Sequence, residues 1–200
     1  MKRMLVVVDA QVDFTTGRLG SENAAKVARK LSDFVKKMHD LHWFGFVLAT
    51  MDTHFATDFR NKESIEAQAV PPHCIAGSPG HALVDSVAEH VDAILYKSTF
   101  MSSGDEIRDE IVDFDGDDHD DAEPEEICIC GFCTDICVVS NALLLRRQFP
   151  KAEIFVIEDL CAGTNEANHR AAIDVMKSCL VRAVNSREIE DRAEKTDACA

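Results

Sequence analysis

Short apolar runs alternate with longer amphipathic stretches along the 200-residue chain. Residues 4–8 form a continuous apolar run rich in valine, which is typical of a strand buried on both faces of a parallel sheet. Helical spacing of apolar residues predicts a helix at 24–41 with Ser21 as its N-cap, and another at 166–179. Five further runs indicate strands at 44–50, 91–96, 127–130, 153–157 and 180–184.

Strands that alternate with helices predict right-handed crossovers and a sheet that helices cover on both faces. The chain is long enough for one domain with a full hydrophobic core. We therefore predict a single α/β domain over residues 1–200, with three α/β/α layers and a mainly parallel six-stranded sheet. The segment 55–82 has no sustained periodicity, and long irregular segments in compact domains are usually functional.

The segment 126–149 has the pattern of a strand, a tight turn and a largely buried helix. Gly131 ends the apolar strand run, and Thr134 and Asp135 favour the first turn of a helix. Cys137 is therefore expected near the helix start, where unpaired backbone N–H groups and the helix dipole favour thiolate over thiol. This pattern suits a nucleophile.

Two other interpretations apply to the cysteines of this segment. Cys130 and Cys133 have the spacing of half a zinc site, but the chain holds no second C-x-x-C or C-x-x-H pair. Cys128 and Cys130 are better interpreted as small buried hydrophobic residues. Cys137 stays the candidate nucleophile.

Polar residues follow four of the predicted strands. Asp9 follows the first strand, Asp52 and His54 follow the second, Lys97 follows the third and Cys137 follows the fourth. Because ligands bind at the carboxyl ends of parallel strands, these side chains are expected to converge on one site.

A thiol, a carboxylate and an ammonium group together suit the hydrolysis of an amide. Cys137 would attack the carbonyl carbon to form a thioester, which water would later hydrolyse. Asp9 would take the thiol proton and return it to the leaving amine, and Lys97 would stabilise the thiolate. Backbone N–H groups of Cys133 and Cys137 would bind the oxyanion. A simple salt bridge between Asp9 and Lys97 is the competing interpretation.

Asp52, His54 and the downstream His73 have ligand types that suit zinc or another divalent ion such as manganese or iron. Glu63 and Glu66 both lie between the two histidines, and either could approach the ion. The six other histidines lack such a context and are interpreted as surface or helix-capping residues: His39, His42, His81, His90, His119 and His169.

Composition excludes some classes of partner. A formal net charge of −15 argues against nucleic acid, which requires clustered lysine and arginine. We expect no export signal and no membrane span, and eight cysteines then indicate reduced thiols in the cytoplasm. The acidic segment 113–126 fails the residue pattern of a calcium loop and is interpreted as an exposed helix-to-strand connection. An apolar helix at 136–145 leaves homo-oligomer formation open.

Several motifs resemble those of the isochorismatase-like cysteine hydrolases, and within them the nicotinamidases. The matching stretches, in the order of that family, are VVDAQVDF at 7–14, DTH at 52–54, PPHCIAGSPG at 71–80, Lys97 and GFCTDICV at 131–138. The resemblance runs over nearly the whole chain, and its most specific part is the G-x-x-T-D-x-C-V block.

The resemblance implies a catalytic triad of Asp9, Lys97 and Cys137. It also implies a cis peptide between Phe132 and Cys133 at the oxyanion hole, and Phe14 as an aromatic wall of the pocket. The implied metal ligands are Asp52, His54, His73 and, by its distance from His54, Glu63. In that family the pyridine nitrogen of the substrate coordinates the metal, whereas isochorismatase-type members lack both the metal set and the cysteine.

These implications favour a metal-dependent amidohydrolase that converts nicotinamide to nicotinate and ammonia in NAD salvage. A related cysteine hydrolase acting on another small amide, or on a carbamoyl or ureido compound, is the alternative among enzymes. A non-catalytic thiol-sensing or binding protein is the alternative from another class, and the complete set of Asp9, Lys97 and Cys137 argues against it.

Overall fold

The computed structural model describes residues 2–62, 64–115 and 123–197. Glu63 and residues 116–122 of the acidic segment lie outside these ranges, so the ligand role expected for Glu63 and part of the predicted acidic connection are not described. Within the described part of the chain, no helix is long and apolar enough to cross a bilayer. The seven cysteines described there form no disulfide.

Six strands form one sheet: β1 Arg3–Val8, β2 Phe46–Asp52, β3 Ala93–Lys97, β4 Glu126–Phe132, β5 Glu153–Ala162 and β6 Arg182–Val184. The spatial order is β3-β2-β1-β4-β5-β6, and every neighbouring pair is parallel. The predicted six-stranded sheet is therefore confirmed. The strand order reverses between β1 and β4, so the expected ligand crevice lies beyond the carboxyl ends of these two strands.

The described helices are α1 Val12–Thr15, α2 Glu22–Asp40, α3 Ala56–Asn61, α4 Ile65–Ala69, α5 Asp85–Ala88, α6 Gly104–Asp115, α7 Val139–Gln148, α8 Glu166–Ser178 and α9 Ser186–Asp197. Helix α2 packs with α5 and α9 on one face of the sheet, and α6, α7 and α8 pack in sequence on the other. These contacts confirm the three-layer arrangement.

Helix α2 shows how the pattern of the sequence becomes packing. Ser21 accepts a hydrogen bond from the N–H of Ala24, which confirms the predicted N-cap. Leu31, Phe34 and Met38 recur at helical spacing and are buried against the sheet. Helix α2 therefore turns its apolar stripe inward and its charged residues to solvent.

Two regions differ from the sequence predictions. The segment 55–82 contains α3, α4 and a 3₁₀ turn at Pro79–His81 instead of being wholly irregular. Strand β5 continues past residue 157 to Ala162, because Leu160 and Cys161 return to the core after two acidic residues and a register shift against β4. The acidic interruption hides this extension from a hydrophobicity pattern.

The join between β1 and β4 depends on Gly131. Its φ of +124° is disfavoured for other residues, and a Cβ atom there would lie 2.0 Å from the carbonyl oxygen of Val8. Glycine therefore allows the two central strands to approach closely just before β4 ends and the chain turns toward Cys137.

Candidate active site

The turn after β4 carries Cys137. The Phe132–Cys133 peptide is cis, as the family resemblance implies. The carbonyl of Cys133 accepts hydrogen bonds from the N–H groups of Ile136 and Val138, both at 3.1 Å. The second bond spans five residues, so Thr134–Val138 is a single π-helical turn and α7 begins only after it. Cys137 therefore lies in a π turn and not on the first turn of an α-helix.

Asp9, Lys97 and Cys137 come together at the carboxyl edge of the sheet. Asp9 is fully buried directly after β1 with a φ of +47°, and Lys97 is the last residue of β3. The Lys97 Nζ atom lies 2.6 Å from Asp9 Oδ2 and 3.7 Å from Cys137 Sγ. The three residues that sequence analysis selected are therefore in mutual contact.

Burial controls the protonation of this group. Burial, reinforced by the Asp9 carboxylate, raises the pKa of the Cys137 thiol well above its ordinary value, and Lys97 offsets this only in part. Burial alone would lower the pKa of Lys97, but Asp9, Cys137 and Asp52 raise it. Burial therefore opposes the thiolate that a helix start was expected to favour, and Lys97 is the neighbouring charge that favours it.

Three further polar residues form hydrogen bonds with Asp9, Asp52 and Cys137, and the sequence analysis missed them. The hydroxyl of Thr50 donates to Asp9 Oδ1 at 2.6 Å. The side-chain amide of Gln11 donates to the carbonyl of Asp52 at 2.9 Å and accepts from its N–H at 2.8 Å. Buried Asn141 donates to the carbonyl of Cys137 at 2.8 Å. Gln11 lies within the motif at 7–14 and Asn141 lies one helical turn after Cys137, so both had a sequence signal that could have found them.

A cluster of four potential metal ligands lies beside the group: Asp52, His54, Glu66 and His73, with one ligand atom from each all within 4.8 Å of one another. The Nε2 atoms of His54 and His73 are each 3.1 Å from Asp52 Oδ2. Glu66 Oε1 is 3.7 Å from His73 Nε2. Of the two glutamates that the sequence left open, Glu66 is thus the described residue that completes the cluster.

The chemistry of these donors fits a divalent ion. The Nδ1 atom of His73 lies 2.9 Å from the carbonyl of Pro71, to which it donates, so the Nε2 atom is the one that faces the cluster. Burial alone would raise the pKa of Asp52, but hydrogen bonds from His54 and His73 lower it well below its ordinary value. A carboxylate and two imidazole nitrogens pointing at one place are typical ligands of zinc or a similar ion.

Aromatic rings hold the two histidines in position. The ring of Phe59 packs edge-on against His54 and His73, at centroid distances of 5.3 and 5.5 Å. Phe14 packs edge-on against the other side of His73 at 5.6 Å. The imidazoles are buried, and their orientation is therefore set by packing as well as by hydrogen bonds.

A cavity of about 280 Å³ connects Cys137 with the cluster of potential metal ligands. Cys137 and the cluster residues Asp52, Glu66 and His73 line it, together with a mostly apolar wall: Phe14, Leu19, Ala24, Val70, Phe100, Phe132, Ile136 and Ala162. Cys133 also lines the cavity. Such a cavity suits a small, flat and largely apolar molecule with one polar end at the cluster and another at the thiol.

The chain is similar to known proteins in both sequence and fold. Residues 3–188 match the isochorismatase domain. The chain is 29% identical over 198 residues to the nicotinamidase/pyrazinamidase of Mycobacterium tuberculosis, which covers 92% of this chain and 99% of that protein. The fold is similar to that of Pyrococcus horikoshii pyrazinamidase in complex with zinc, with a TM-score of 0.75, 24% identity and coverage of 92% and 99%.

A second solved structure with a similar fold is PnC1 from L. infantum in complex with nicotinate. Its TM-score is 0.74 at 21% identity, and the match covers 93% of each chain. At these identities the structural matches show the fold alone, whereas the domain match over residues 3–188 shows the family.

Proposed function

We propose that this chain, an amidohydrolase of the isochorismatase family, hydrolyses nicotinamide to nicotinate and ammonia. One observation carries the proposal: the Cys137 thiol, beside buried Asp9 and Lys97, shares a small, mostly apolar cavity with three of the four potential metal ligands, Asp52, Glu66 and His73. A nicotinamide ring has the two polar ends that such a cavity requires.

In the first half of the proposed reaction, Asp9 takes the proton of the Cys137 thiol while the sulfur attacks the carbonyl carbon. Backbone N–H groups of Cys133 and Cys137 would stabilise the oxyanion. When this intermediate collapses, the C–N bond breaks and Asp9 returns the proton to the leaving nitrogen. Ammonia and a thioester on Cys137 are the products of this step.

In the second half, Asp9 takes a proton from a water molecule as the water oxygen attacks the thioester carbon. The C–S bond breaks, the proton on Asp9 passes to the Cys137 sulfur, and nicotinic acid leaves and loses its carboxyl proton to solvent to give nicotinate. Lys97 keeps its positive charge throughout, so it favours the transient thiolate in a buried setting where an isolated anion would be costly.

A divalent ion, for which we propose zinc, would be held by Asp52, His54, Glu66 and His73. When bound, the ion would supply an electrophilic partner for the ring nitrogen of the substrate and so set the ring orientation. The chain's own part is to bury and align the donors: Gln11 bonds both backbone groups of Asp52, and Phe14 forms the wall beside His73.

Ammonia release from a panel of amides tests the substrate. Nicotinamide and pyrazinamide should be hydrolysed well, and benzamide, which has the same shape without the ring nitrogen, should be hydrolysed poorly. A purified enzyme that released ammonia only from a carbamoyl or ureido compound would instead support the alternative substrate class.

Metal content and KM test the role of the cluster. Asp52→Ala and His54→Ala should lose the metal and raise the KM for nicotinamide more than they disturb folding, since the residues orient the substrate ring. If these metal-free variants bound nicotinamide as tightly as the parent enzyme, the cluster would have no part in substrate binding.

We further propose that the enzyme serves NAD salvage in the reducing cytoplasm, where free thiols persist.

A further inference from the structure

Three histidines that the sequence analysis interpreted as surface or helix-capping residues lie together at the opposite end of the sheet. His39 is in the last turn of α2, His42 is in the loop after it, and His90 follows α5. The ring centroid of His39 is 4.6 Å from that of His90 and 6.2 Å from that of His42. Strand β2 starts beside them and ends at Asp52, so roughly 20 Å separates them from the candidate active site.

These two ring separations are near the separation of imidazoles that bind one ion. With metal–nitrogen bonds of ~2.1 Å and tetrahedral angles, the ring centroids of two coordinating histidines are separated by ~5 Å. The observed separations lie on either side of that value. His39 and His42 are exposed, so rotation of their side chains can bring their nitrogens to a common point without disturbing the core.

The third histidine is already oriented. The Nδ1 atom of His90 lies 2.7 Å from the carbonyl of Ser86, to which it donates, so the lone pair is on Nε2. The backbone at His42 has a φ of +47°, and its N–H donates to the carbonyl of His39 at 2.9 Å. This turn holds the two histidines of the α2 end on the same side of the loop.

The surroundings suit a cation. A cavity of about 170 Å³ is lined by all three histidines and by Asp92. One carboxylate oxygen of Asp92 accepts from the N–H of Val47 at 2.7 Å, which leaves the other available as a fourth donor. The carboxyl-terminal end of α2, with its partial negative charge, also lies here.

From this geometry we propose that His39, His42 and His90, with Asp92, form a second binding site for a divalent transition metal such as Zn²⁺ or Ni²⁺. Imidazole with one carboxylate is a donor set that these ions prefer. A bound ion would tie the end of α2 to the segments before β2 and β3. The proposal is independent of the proposed hydrolase activity.

Equilibrium dialysis against Zn²⁺ tests the stoichiometry. The parent protein should bind two equivalents, and the double variant His39→Ala/His90→Ala should bind one. His54→Ala, which removes a ligand of the other cluster, should also bind one, whereas His169→Ala controls for loss of a histidine elsewhere and should bind two. The double variant should hydrolyse amides at the parental rate. A parent protein that binds a single equivalent, or a double variant that binds as much as the parent, would overturn the proposal.

Trp43 gives a second, local measurement. It is the single tryptophan of the chain, it is buried, and it directly follows His42. Ni²⁺ bound at the three histidines should therefore quench tryptophan fluorescence, and saturating Zn²⁺ should reverse the quenching. The single variants His39→Ala and His90→Ala should lose this quenching and His54→Ala should keep it. Equal quenching in all of these variants would refute the site even if the double variant failed to fold.

Discussion

Lys97 and Asp9 form a buried ion pair, with Nζ 2.6 Å from Oδ2, between the ends of β3 and β1. The two side chains are 3% and 0% exposed, so neither charge is solvated by bulk water. Removal of one partner from a buried pair leaves the other charge uncompensated, which typically costs about 3–5 kcal/mol. The pair therefore contributes to folding as well as to the proposed chemistry.

Lys97→Met should lower the free energy of unfolding by about 3–5 kcal/mol and reduce amide hydrolysis below detection. Urea denaturation and ammonia release measure the two effects. The double variant Lys97→Met/Asp9→Asn is the matched control, since it removes both charges and should recover much of the stability but none of the activity. A single variant as stable as the parent enzyme would show that the pair has no structural role.

Cys137 and Cys133 lie on the same turn and should differ in function. Cys137→Ala should abolish hydrolysis with the fold intact, whereas Cys133→Ala should keep most of it because only the Cys133 backbone takes part. Burial raises the pKa of both thiols, so the contact between Lys97 Nζ and Cys137 Sγ at 3.7 Å is what should make Cys137 the nucleophile. Acid-quenched turnover followed by peptide mass spectrometry should locate the acyl group on Cys137. An acyl group on Cys133 would contradict the mechanism.

Glu66 and Glu63 are a matched pair for testing the fourth metal ligand. Glu66 Oε1 lies within the cluster, 3.7 Å from His73 Nε2, so Glu66→Gln should lower zinc affinity by at least 10-fold. Glu63→Gln should change zinc affinity much less. Zinc titration with a competing chelator measures both, and the reverse ranking would assign the ligand to Glu63, as the family resemblance first implied.

Asn141 joins the nucleophile turn to the segment after β3. Its Nδ2 atom donates to the carbonyls of Cys137 and Phe100, at 2.8 and 3.2 Å, and its Oδ1 atom accepts from the N–H of Ser102 at 3.0 Å. Asn141→Leu leaves these buried groups unpaired and should lower the free energy of unfolding by about 1–3 kcal/mol.

The same substitution should reduce kcat by roughly 10- to 100-fold, because Cys137 loses its fixed position, while zinc content stays unchanged. Ser140→Ala is the control, since it removes a neighbouring hydroxyl that bonds only the Ile136 carbonyl. Parental kcat in Asn141→Leu would show that Asn141 supports the fold alone.

Asp135 gives a pH dependence of stability. Burial alone would raise its pKa, but hydrogen bonds from Thr164 and Asn168 lower it below the ordinary 3.8. As the pH falls, Asp135 is protonated in the unfolded chain before it is protonated in the folded protein. The stabilisation is therefore present above pH 3.8 and is lost as the pH falls through that value toward the folded pKa.

Asp135→Asn should therefore destabilise the protein by about 1 kcal/mol at neutral pH, an amount that allows for partial exposure. The difference from the parent should shrink as the pH falls below 3.8. Urea denaturation at several pH values measures it, with the exposed Asp174→Asn on α8 as control. A difference that does not change with pH would exclude a contribution from the ionised carboxylate.

The sequence by itself determined the sheet and the convergence of Asp9, Lys97 and Cys137, because both depend on local signals. A strand buried on both faces is a run of apolar residues, and a parallel sheet brings the residues that end its strands to one edge. Asp9, Lys97 and Cys137 each end or follow such a run, so their convergence was predictable without coordinates. Family resemblance then supplied the cis peptide and the role of Phe14.

Tertiary structure alone decided the contacts between distant segments. Thr50 bonds Asp9 across 41 residues, and His90 lies beside His39 although no periodicity relates them. The pKa of Cys137 also depends on packing, since a helix start favours the thiolate whereas burial, which a linear pattern does not give, raises the pKa of the thiol. Hydrogen-bond partners and solvent exclusion depend on which surfaces meet in three dimensions, and a linear pattern of apolar residues does not record this.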